Sequence, residues 1–266
     1  MAGTLTCPMV ADIIRRMDFD IGPLLESWEY QPGQIVARKF VGKDGKEKIQ
    51  LRVDVGILQM NADGRPDGKR PMGCASLYDH YQVRLRQYVA RHEGDDSQFR
   101  LGPEDCAKVH FETMQYHQRV FCLLALDDFA GAIRDGERNQ AVFEFVRKYA
   151  TQDLLAPFLQ FIPQQILVLT RGRAGLCLSA EDYSEAIRHI GEGIEQIRAF
   201  FAEQERAEVA EQCPELLWLD AWLKEVSSQR PISKRERLER DLQEAVQAEN
   251  YEKAAQVRDE LRKLKP

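Results

Sequence analysis

The chain has 266 residues, of which 44% are hydrophobic and 30% charged, and this length suffices for one large globular domain or two smaller ones. With a formal net charge of −6, the protein surface as a whole does not suit nucleic-acid binding. No apolar run approaches the roughly 18 residues that a membrane span requires. Because the first twenty residues lack the features of a secretory signal, we expect a cytoplasmic protein without a membrane partner.

Six cysteines are scattered along the chain, and none belongs to a C-x-x-C pair. This spacing argues against a zinc ribbon and against a disulfide framework. We therefore expect reduced and mostly buried thiols, and neither a metal ion nor another cofactor.

The clear β signal lies in the first third of the chain. Residues 34–41 read QIVARKFV, and after the turn residues GKDGK the segment 47–60 alternates apolar and polar side chains. A period of two predicts a strand with one buried face and one solvated face. The pattern thus predicts one small antiparallel β-hairpin within an N-terminal segment, residues 1–75, with Gly56 as a bulge.

From residue 76 onward the sequence is typical of helices joined by short connections. The predicted helices are 76–92, 104–133, 137–149, 153–171, 180–207 and 214–228. Pro163 is expected to kink or split the fourth of them. The predicted fold class is mainly α (α+β), with a helical-hairpin body over 76–226, a polar linker over 227–232 and a C-terminal helical hairpin over 233–266.

Three segments of the chain begin alike. They start at Glu137, Asp182 and Asn250, each with a side chain suited to cap a helix, and each places an alanine four residues later. Together with the helix before it, the second segment resembles a tetratricopeptide-type hairpin near residues 155–205. Ordinary antiparallel helices explain the pattern too, and the irregular spacing of the segments favours that interpretation.

The last thirty residues predict two short amphipathic helices. In the first, apolar residues recur at helical spacing and form one narrow stripe. The stripe consists of Leu238, Leu242, Ala245 and Val246. Ser233 is a predicted N-cap for this helix and Asn250 for the next, which carries Tyr251, Ala254, Ala255 and Leu261 on and beside one face.

Two such helices bury only one thin seam between them. Segments below about 40 residues usually need a metal, a disulfide or a partner to be stable. No cysteine follows Cys213. We therefore expect another protein surface to complete the hairpin: the upstream domain, a second copy of the chain or a different partner.

At these positions the chain resembles the UVR motif. The matching residues are the Glu-Asn-Tyr-Glu core of 249–252, the paired alanines Ala254 and Ala255, and Arg258-Asp259 before Leu261, with Leu238 and Leu242 in the helix before them. The motif ends the excision-repair protein UvrB and lies mid-chain in UvrC. It also occurs in the arginine-kinase activator McsA and in some Clp-type chaperone ATPases. In that family the hairpin mediates protein–protein contact, including self-association, and is not catalytic.

The resemblance covers about residues 233–264. It implies a partner-binding role for Leu238, Leu242, Tyr251, Glu252, Ala254, Ala255, Arg258, Asp259 and Leu261. The helicase motifs of UvrB, the nuclease domains of UvrC and the paired cysteines of McsA have no counterpart in this sequence. The upstream part resembles bacterial proteins that end in such a motif, and this likeness implies an architecture and no activity.

A search for catalytic patterns finds no phosphate-binding G-x-x-x-x-G-K-[ST], no G-x-S-x-G and no H-E-x-x-H. We therefore expect a protein that is not an enzyme. His110, Met114 and His117 fall on one helical face, where packing at a helix interface is favoured over metal binding. Arg171 and Arg173 either contact a phosphate or, more commonly for such residues, lie near a helix C-terminus.

A polar region surrounds the predicted hairpin. Arg65 and Asp67 lie in the loop GRPDGKRP, beside the solvated strand face that carries Arg52 and Asp54. These side chains predict either a small polar surface for an anionic or peptide ligand or, as the favoured interpretation, a stiff network of turn hydrogen bonds.

The predicted function is that of a cytoplasmic, non-enzymatic adaptor. Its C-terminal hairpin docks on a protein with a similar hairpin or on a second copy of the chain, with a link to excision repair or to protein quality control. The alternative is a DNA-binding accessory factor of nucleotide excision repair. From residue 232 onward nine basic residues face eight acidic ones, so the local charge does not favour DNA. An enzyme built on residues 50–70 is the least favoured interpretation, because no nucleophile–base pair is visible there.

Overall fold

The structure is a computed structural model that describes residues 20–231 and 234–263, the side chains of 234–236 and 263 apart. This part of the chain is mainly α, with a small antiparallel sheet near its start, as the sequence predicts. Cys7 and the predicted cap Ser233 lie outside the described residues.

The sheet has three strands instead of the predicted two. They are β1 (Val36–Val41), β2 (Glu47–Val53) and β3 (Gly56–Asn61), antiparallel and in the order β1-β2-β3. Val53 pairs with Gly56, so a two-residue turn divides the predicted second strand, and Gly56 begins a strand where a bulge was expected. The guanidinium of Arg52 closes this turn by donating to the carbonyl oxygens of Asp54 at 3.0 Å and Gly56 at 3.4 Å.

One short helix precedes the sheet, and the others follow it in short succession. They are α1 (Gly22–Glu26), α2 (Leu77–Arg91), α3 (Pro103–Ala125), α4 (Phe129–Tyr149), α5 (Ala156–Leu159), α6 (Ile162–Ser179), α7 (Tyr183–Glu203), α8 (Ala207–Ala210), α9 (Pro214–Gln229), α10 (Lys234–Gln247) and α11 (Tyr251–Lys263). Pro163 lies in the first turn of α6, so the predicted helix over 153–171 is split there.

The predicted break between the second and third helices is wrong. The sequence prediction placed it at 134–136, whereas α3 ends at Ala125 and α4 begins at Phe129. The carboxylate of Asp128 caps α4 by accepting from the N–H of Gly131 at 2.9 Å. Gly136 therefore lies inside α4, where its missing side chain leaves room for Leu169 of α6.

One turn geometry recurs between α3 and α4, between α6 and α7 and between α10 and α11. The turns are Asp127-Asp128, Glu181-Asp182 and Glu249-Asn250, and the first residue of each has a positive φ, of 54°, 58° and 53°. The second residue of each accepts a hydrogen bond from the backbone N–H three residues on, at 2.9, 3.1 and 3.1 Å. Its own N–H donates to the carbonyl five residues back, at 2.9, 2.9 and 2.8 Å. Each turn thus ends one helix with a left-handed residue and caps the next.

The side chains after these turns also correspond. An aromatic residue follows each cap, and an alanine lies four residues after the cap; these pairs are Phe129 and Ala132, Tyr183 and Ala186, and Tyr251 and Ala254. The alanines are buried, with exposed fractions of 0%, 0% and 8%. The predicted helix caps are confirmed at Asp182 and Asn250, and the one at Glu137 is wrong because that residue lies inside α4.

The core consists of three apolar clusters. One joins α2, α3 and α4 around Tyr81 and Val142, and a second joins α6, α7 and α9 around Ile190 and Leu216. The third lies between the sheet and α3, α4 and α6, where Ile49 packs with residues such as Val120 and Val168. The sheet is thereby fixed to the helical body.

Close approach of α6 and α7 depends on Gly193. A Cβ atom on Gly193 would lie less than 3.0 Å from the Thr170 side chain, whereas one on Gly191, two residues earlier, would meet nothing within 4 Å. We expect Gly193→Ala to lower the free energy of unfolding by about 1–3 kcal/mol through overpacking. Gly191→Ala is the matched control and should raise it by up to about 1 kcal/mol, because alanine favours a helix. Urea unfolding of the two variants measures both effects, and equal stabilities would contradict the packing argument.

The predicted packing role of the two histidines on α3 agrees with their surroundings. The ring of His110 contacts Phe158 with centroids 5.2 Å apart, and that of His117 contacts Phe121 at 4.7 Å. His117 is 5% exposed, and its Nε2 lies 3.0 Å from the amide oxygen of Gln164.

Burial lowers the pKa of His117. The unfolded chain then takes up a proton near the ordinary pKa of about 6.5, while the native state resists protonation. The free energy of unfolding therefore has its full value above about pH 6.5, where His117 is neutral in both states. It decreases as the pH falls from there toward the lowered pKa, because only the unfolded chain then gains the proton. We expect His117→Gln to flatten the decline in the free energy of unfolding between about pH 7 and 5, measured by urea titration. The control is His92→Gln, at an exposed position, and an undiminished decline in His117→Gln would refute the prediction.

Candidate protein-interaction site

The C-terminal hairpin is formed by α10 and α11, which lie antiparallel about the turn Glu249-Asn250. The Asn250 side chain accepts from the N–H of Lys253 at 3.1 Å, which confirms the predicted cap of α11. A hydrogen bond of 2.8 Å from the Asn250 N–H to the carbonyl of Ala245 ends α10 at the same point. The local sequence thus fixes where both helices meet.

The seam between the helices is narrow. Its buried side chains are those of Leu238, Ala245, Ala254 and Val257. Small alanines lie next to the turn, where they let the two backbones approach each other. The predicted residues Leu242, Ala255 and Leu261 are half-buried beside this seam.

Val257 was not among the predicted residues, although it is only 9% exposed. Its spacing of three residues from Ala254 and four from Leu261 is the signal that could have found it. Val246, in contrast, was placed on the buried stripe and is 52% exposed. Because neighbouring residues of a helix point about 100° apart, the seam that buries Ala245 leaves Val246 outside it.

The tip of the hairpin carries uncovered apolar surface. Tyr251 at the start of α11 is 70% exposed, and Val246 near the end of α10 is exposed too. The aromatic residues at the same place in the two body turns are partly buried: Phe129 packs against the cluster under the sheet, and Tyr183 against the cluster of α6, α7 and α9. Of these three equivalent aromatic side chains, Tyr251 of the C-terminal hairpin is the most exposed to solvent.

Charged side chains occupy the outer face of α11. Glu252, Arg258 and Asp259 are exposed, and the guanidinium of Arg258 donates to the carboxylate of Asp259 at 3.0 and 3.2 Å. An exposed pair of this kind contributes little to stability. Both groups are accessible to polar groups on a partner.

The four residues of the predicted polar surface do not form one cluster. Arg52 is buried in its own turn with its guanidinium 5.0 Å from the ring of Tyr30, and Asp54 is exposed at the tip of that turn. Arg65 and Asp67 do come together, with Nε and carboxylate 3.4 Å apart. The structure thus separates these residues into two pairs.

Arg65 also belongs to a buried ionic network. Its Nε lies 3.1 Å from the carboxylate of Glu112, which accepts in addition from the N–H groups of Leu77 at 2.7 Å and Tyr78 at 3.3 Å and from Arg138. The loop after β3 is thereby tied to α2, α3 and α4. Arg65 is thus held by a helix and not by backbone groups of its own loop, while Asp67 makes a turn hydrogen bond of the predicted kind by accepting from the N–H of Lys69 at 3.0 Å.

The described residues contain no helix long and apolar enough to cross a membrane. No curated protein and no solved structure matches the chain. Among protein families, the UvrB/uvrC motif, called UVR, matches residues 233–265. The chain therefore carries a UVR motif, and it is the hairpin of α10 and α11.

Proposed function

We propose that the protein is a non-enzymatic adaptor of the cytoplasm that binds another protein through the tip of its C-terminal hairpin. The observation that carries this proposal is the 70% exposure of Tyr251 at a turn whose two counterparts in the body have partly buried aromatic rings. Aromatic and arginine side chains at the centre of an interface supply most of its binding energy. Tyr251 and the nearby Arg258 are of these types.

The proposed partner carries a similar hairpin or is a second copy of this chain. The seam of α10 and α11 shows how two such helices bury alanines and branched apolar residues against each other. By its UVR motif, the protein is linked in this proposal to excision repair or to protein quality control.

Affinity purification of the full chain, compared with a chain that ends at residue 231, tests the proposal. We expect at least one protein to be captured by the full chain alone, or a second copy to be seen as a dimer by light scattering. Identical captures and a monomer in both preparations would refute it. A shift of labelled DNA at low salt, reversed by added salt, would instead support the DNA-binding alternative.

A further inference from the structure

An open pocket lies where the α3–α4 turn meets α6 and α9, away from the C-terminal hairpin. It has a volume of about 520 Å³, within the range of small-molecule sites. Trp218 and Trp222 of α9 form one wall, with ring centroids 5.2 Å apart. Arg171 of α6 and Asp127 of the turn also line the pocket.

The floor of the pocket depends on a glycine. Arg171 and Gly175 are four residues apart on one face of α6. A Cβ on Gly175 would come within 2.5 Å of the Phe129 ring, so only glycine lets this ring lie against the helix. Phe129, the aromatic residue of the first body turn, thereby becomes part of the pocket lining.

Arg171 was expected to contact a phosphate or to end a helix, and it lies in the middle of α6. Its guanidinium is 5.1 Å from the ring of Trp218, and it has neither a hydrogen bond nor an ion pair with any part of the chain that the structure describes. Burial lowers its pKa, with no carboxylate to oppose the effect. Arg173, two residues on, is paired with Glu137 at 3.0 Å. A half-buried cation without a counter-ion is unusual in a protein.

We propose that this pocket binds a ligand with one carboxylate joined to an aromatic or other flat apolar group. The carboxylate accepts two parallel hydrogen bonds from the guanidinium of Arg171, and the apolar group packs on Trp218 and Trp222. Arg171 is the one cationic side chain among the residues that line the pocket, whereas the two charges of a phosphate dianion would call for a second cation. Ser179 already donates its hydroxyl proton to the carbonyl of Gly175 at 3.0 Å, and Asp127 adds a negative charge. The inference does not depend on the function proposed for the hairpin.

Tryptophan fluorescence reports directly on this pocket, because it holds two of the three tryptophans of the chain. We expect 3-phenylpropionate to change the emission in a saturable way. Its uncharged counterpart 3-phenylpropionamide should bind at least about tenfold more weakly, the loss expected for one charge-assisted hydrogen bond. The dianion phenyl phosphate should also bind more weakly than the acid, because its second charge lies near Asp127 without a second cation to pair with it. Arg171→Gln should weaken phenylpropionate binding by the same factor, whereas Arg173→Gln, the matched control, should not.

Three results would overturn the proposal. The first is the absence of saturation by 3-phenylpropionate up to about 10 mM, which is roughly ten times the Kd of a weak ligand. The second is equal binding of the acid and the amide, and the third is tighter binding of phenyl phosphate than of the acid. Thermal unfolding separates binding from folding: Arg171→Gln should unfold at the same temperature as the unaltered chain or above it. Should Arg171→Gln fail to fold, the guanidinium is structural and the proposal is wrong.

Discussion

Replacing Asp135 by alanine is expected to lower the free energy of unfolding by about 3–5 kcal/mol, as for other buried ion pairs that lose one partner. Asp135 on α4 accepts from Arg119 on α3 through both carboxylate oxygens, at 2.6 and 2.9 Å. Arg119 is 1% exposed and also donates to the carbonyl of Asn61 at 2.7 Å. Loss of Asp135 leaves this guanidinium buried without a counter-ion, at the place where the sheet meets the helices.

Urea unfolding measures the loss, and Glu137→Ala is its control. Glu137 lies on α4 like Asp135 and pairs at the surface with Arg173 of α6, so its replacement should change the free energy of unfolding by no more than about 0.5 kcal/mol. The double replacement Arg119→Met with Asp135→Leu should recover most of the stability, since no charge then remains buried. If Asp135→Ala lowers the free energy of unfolding by less than about 1 kcal/mol, the Arg119–Asp135 pair is not buried from water, which would contradict the structure.

Tyr251→Ala should reduce partner capture about 30-fold, which corresponds to the roughly 2 kcal/mol of an interface hot spot. The melting temperature should stay unchanged, because the side chain is 70% exposed and lies outside the seam of the hairpin. Adding Arg258→Ala should abolish capture. Quantitative pull-down from lysate, with thermal unfolding of each variant, measures both quantities.

Phe111→Ala is the control for this prediction. Phe111 is 72% exposed on α3, so the two substitutions remove aromatic rings of almost equal exposure from different surfaces. Capture should survive the loss of Phe111. If both variants capture the partner as well as the unaltered chain does, the tip of the hairpin is not the docking surface.

The C-terminal hairpin could be predicted from the sequence because the signals that form it are local. The apolar spacing from Leu238 to Ala245 and the cap at Asn250 lie within a few residues of the structures they determine. Val246 was misplaced because a spacing of four residues drifts by about 40° around a helix at each step, so the series from Leu238 through Leu242 has left the seam at Val246.

Two boundaries could not be predicted, for physical reasons. The β2–β3 turn holds Asp54 and Val55 in place of the asparagine-glycine or aspartate-glycine pairs of common hairpin turns, and the Arg52 side chain supplies hydrogen bonds that no turn pattern records. The break after α3 was placed too late, at a glycine that resembles a helix breaker. Gly136 instead lies inside α4, where the absence of a side chain lets Leu169 pack against the helix.

The ionic network and the tryptophan pocket lie beyond such local patterns. Glu112 meets Arg65 and Arg138 from distant parts of the chain. The pocket likewise combines the turn before α4 with α6 and α9. Only the packing of helices that are far apart in sequence brings these groups together, so spacing along the chain carries no signal for them.

Photo-crosslinking from position 251 tests most directly whether the hairpin tip meets a foreign surface. A benzophenone amino acid in place of Tyr251 should form crosslinks in living cells to another polypeptide, mapped by mass spectrometry to a helical hairpin of that partner or of a second copy. The same probe at Phe111, a site of equal exposure, should not give this product. Crosslinks from position 251 that join only residues 20–231 of the same chain would contradict the adaptor function, because the body would then cover the tip.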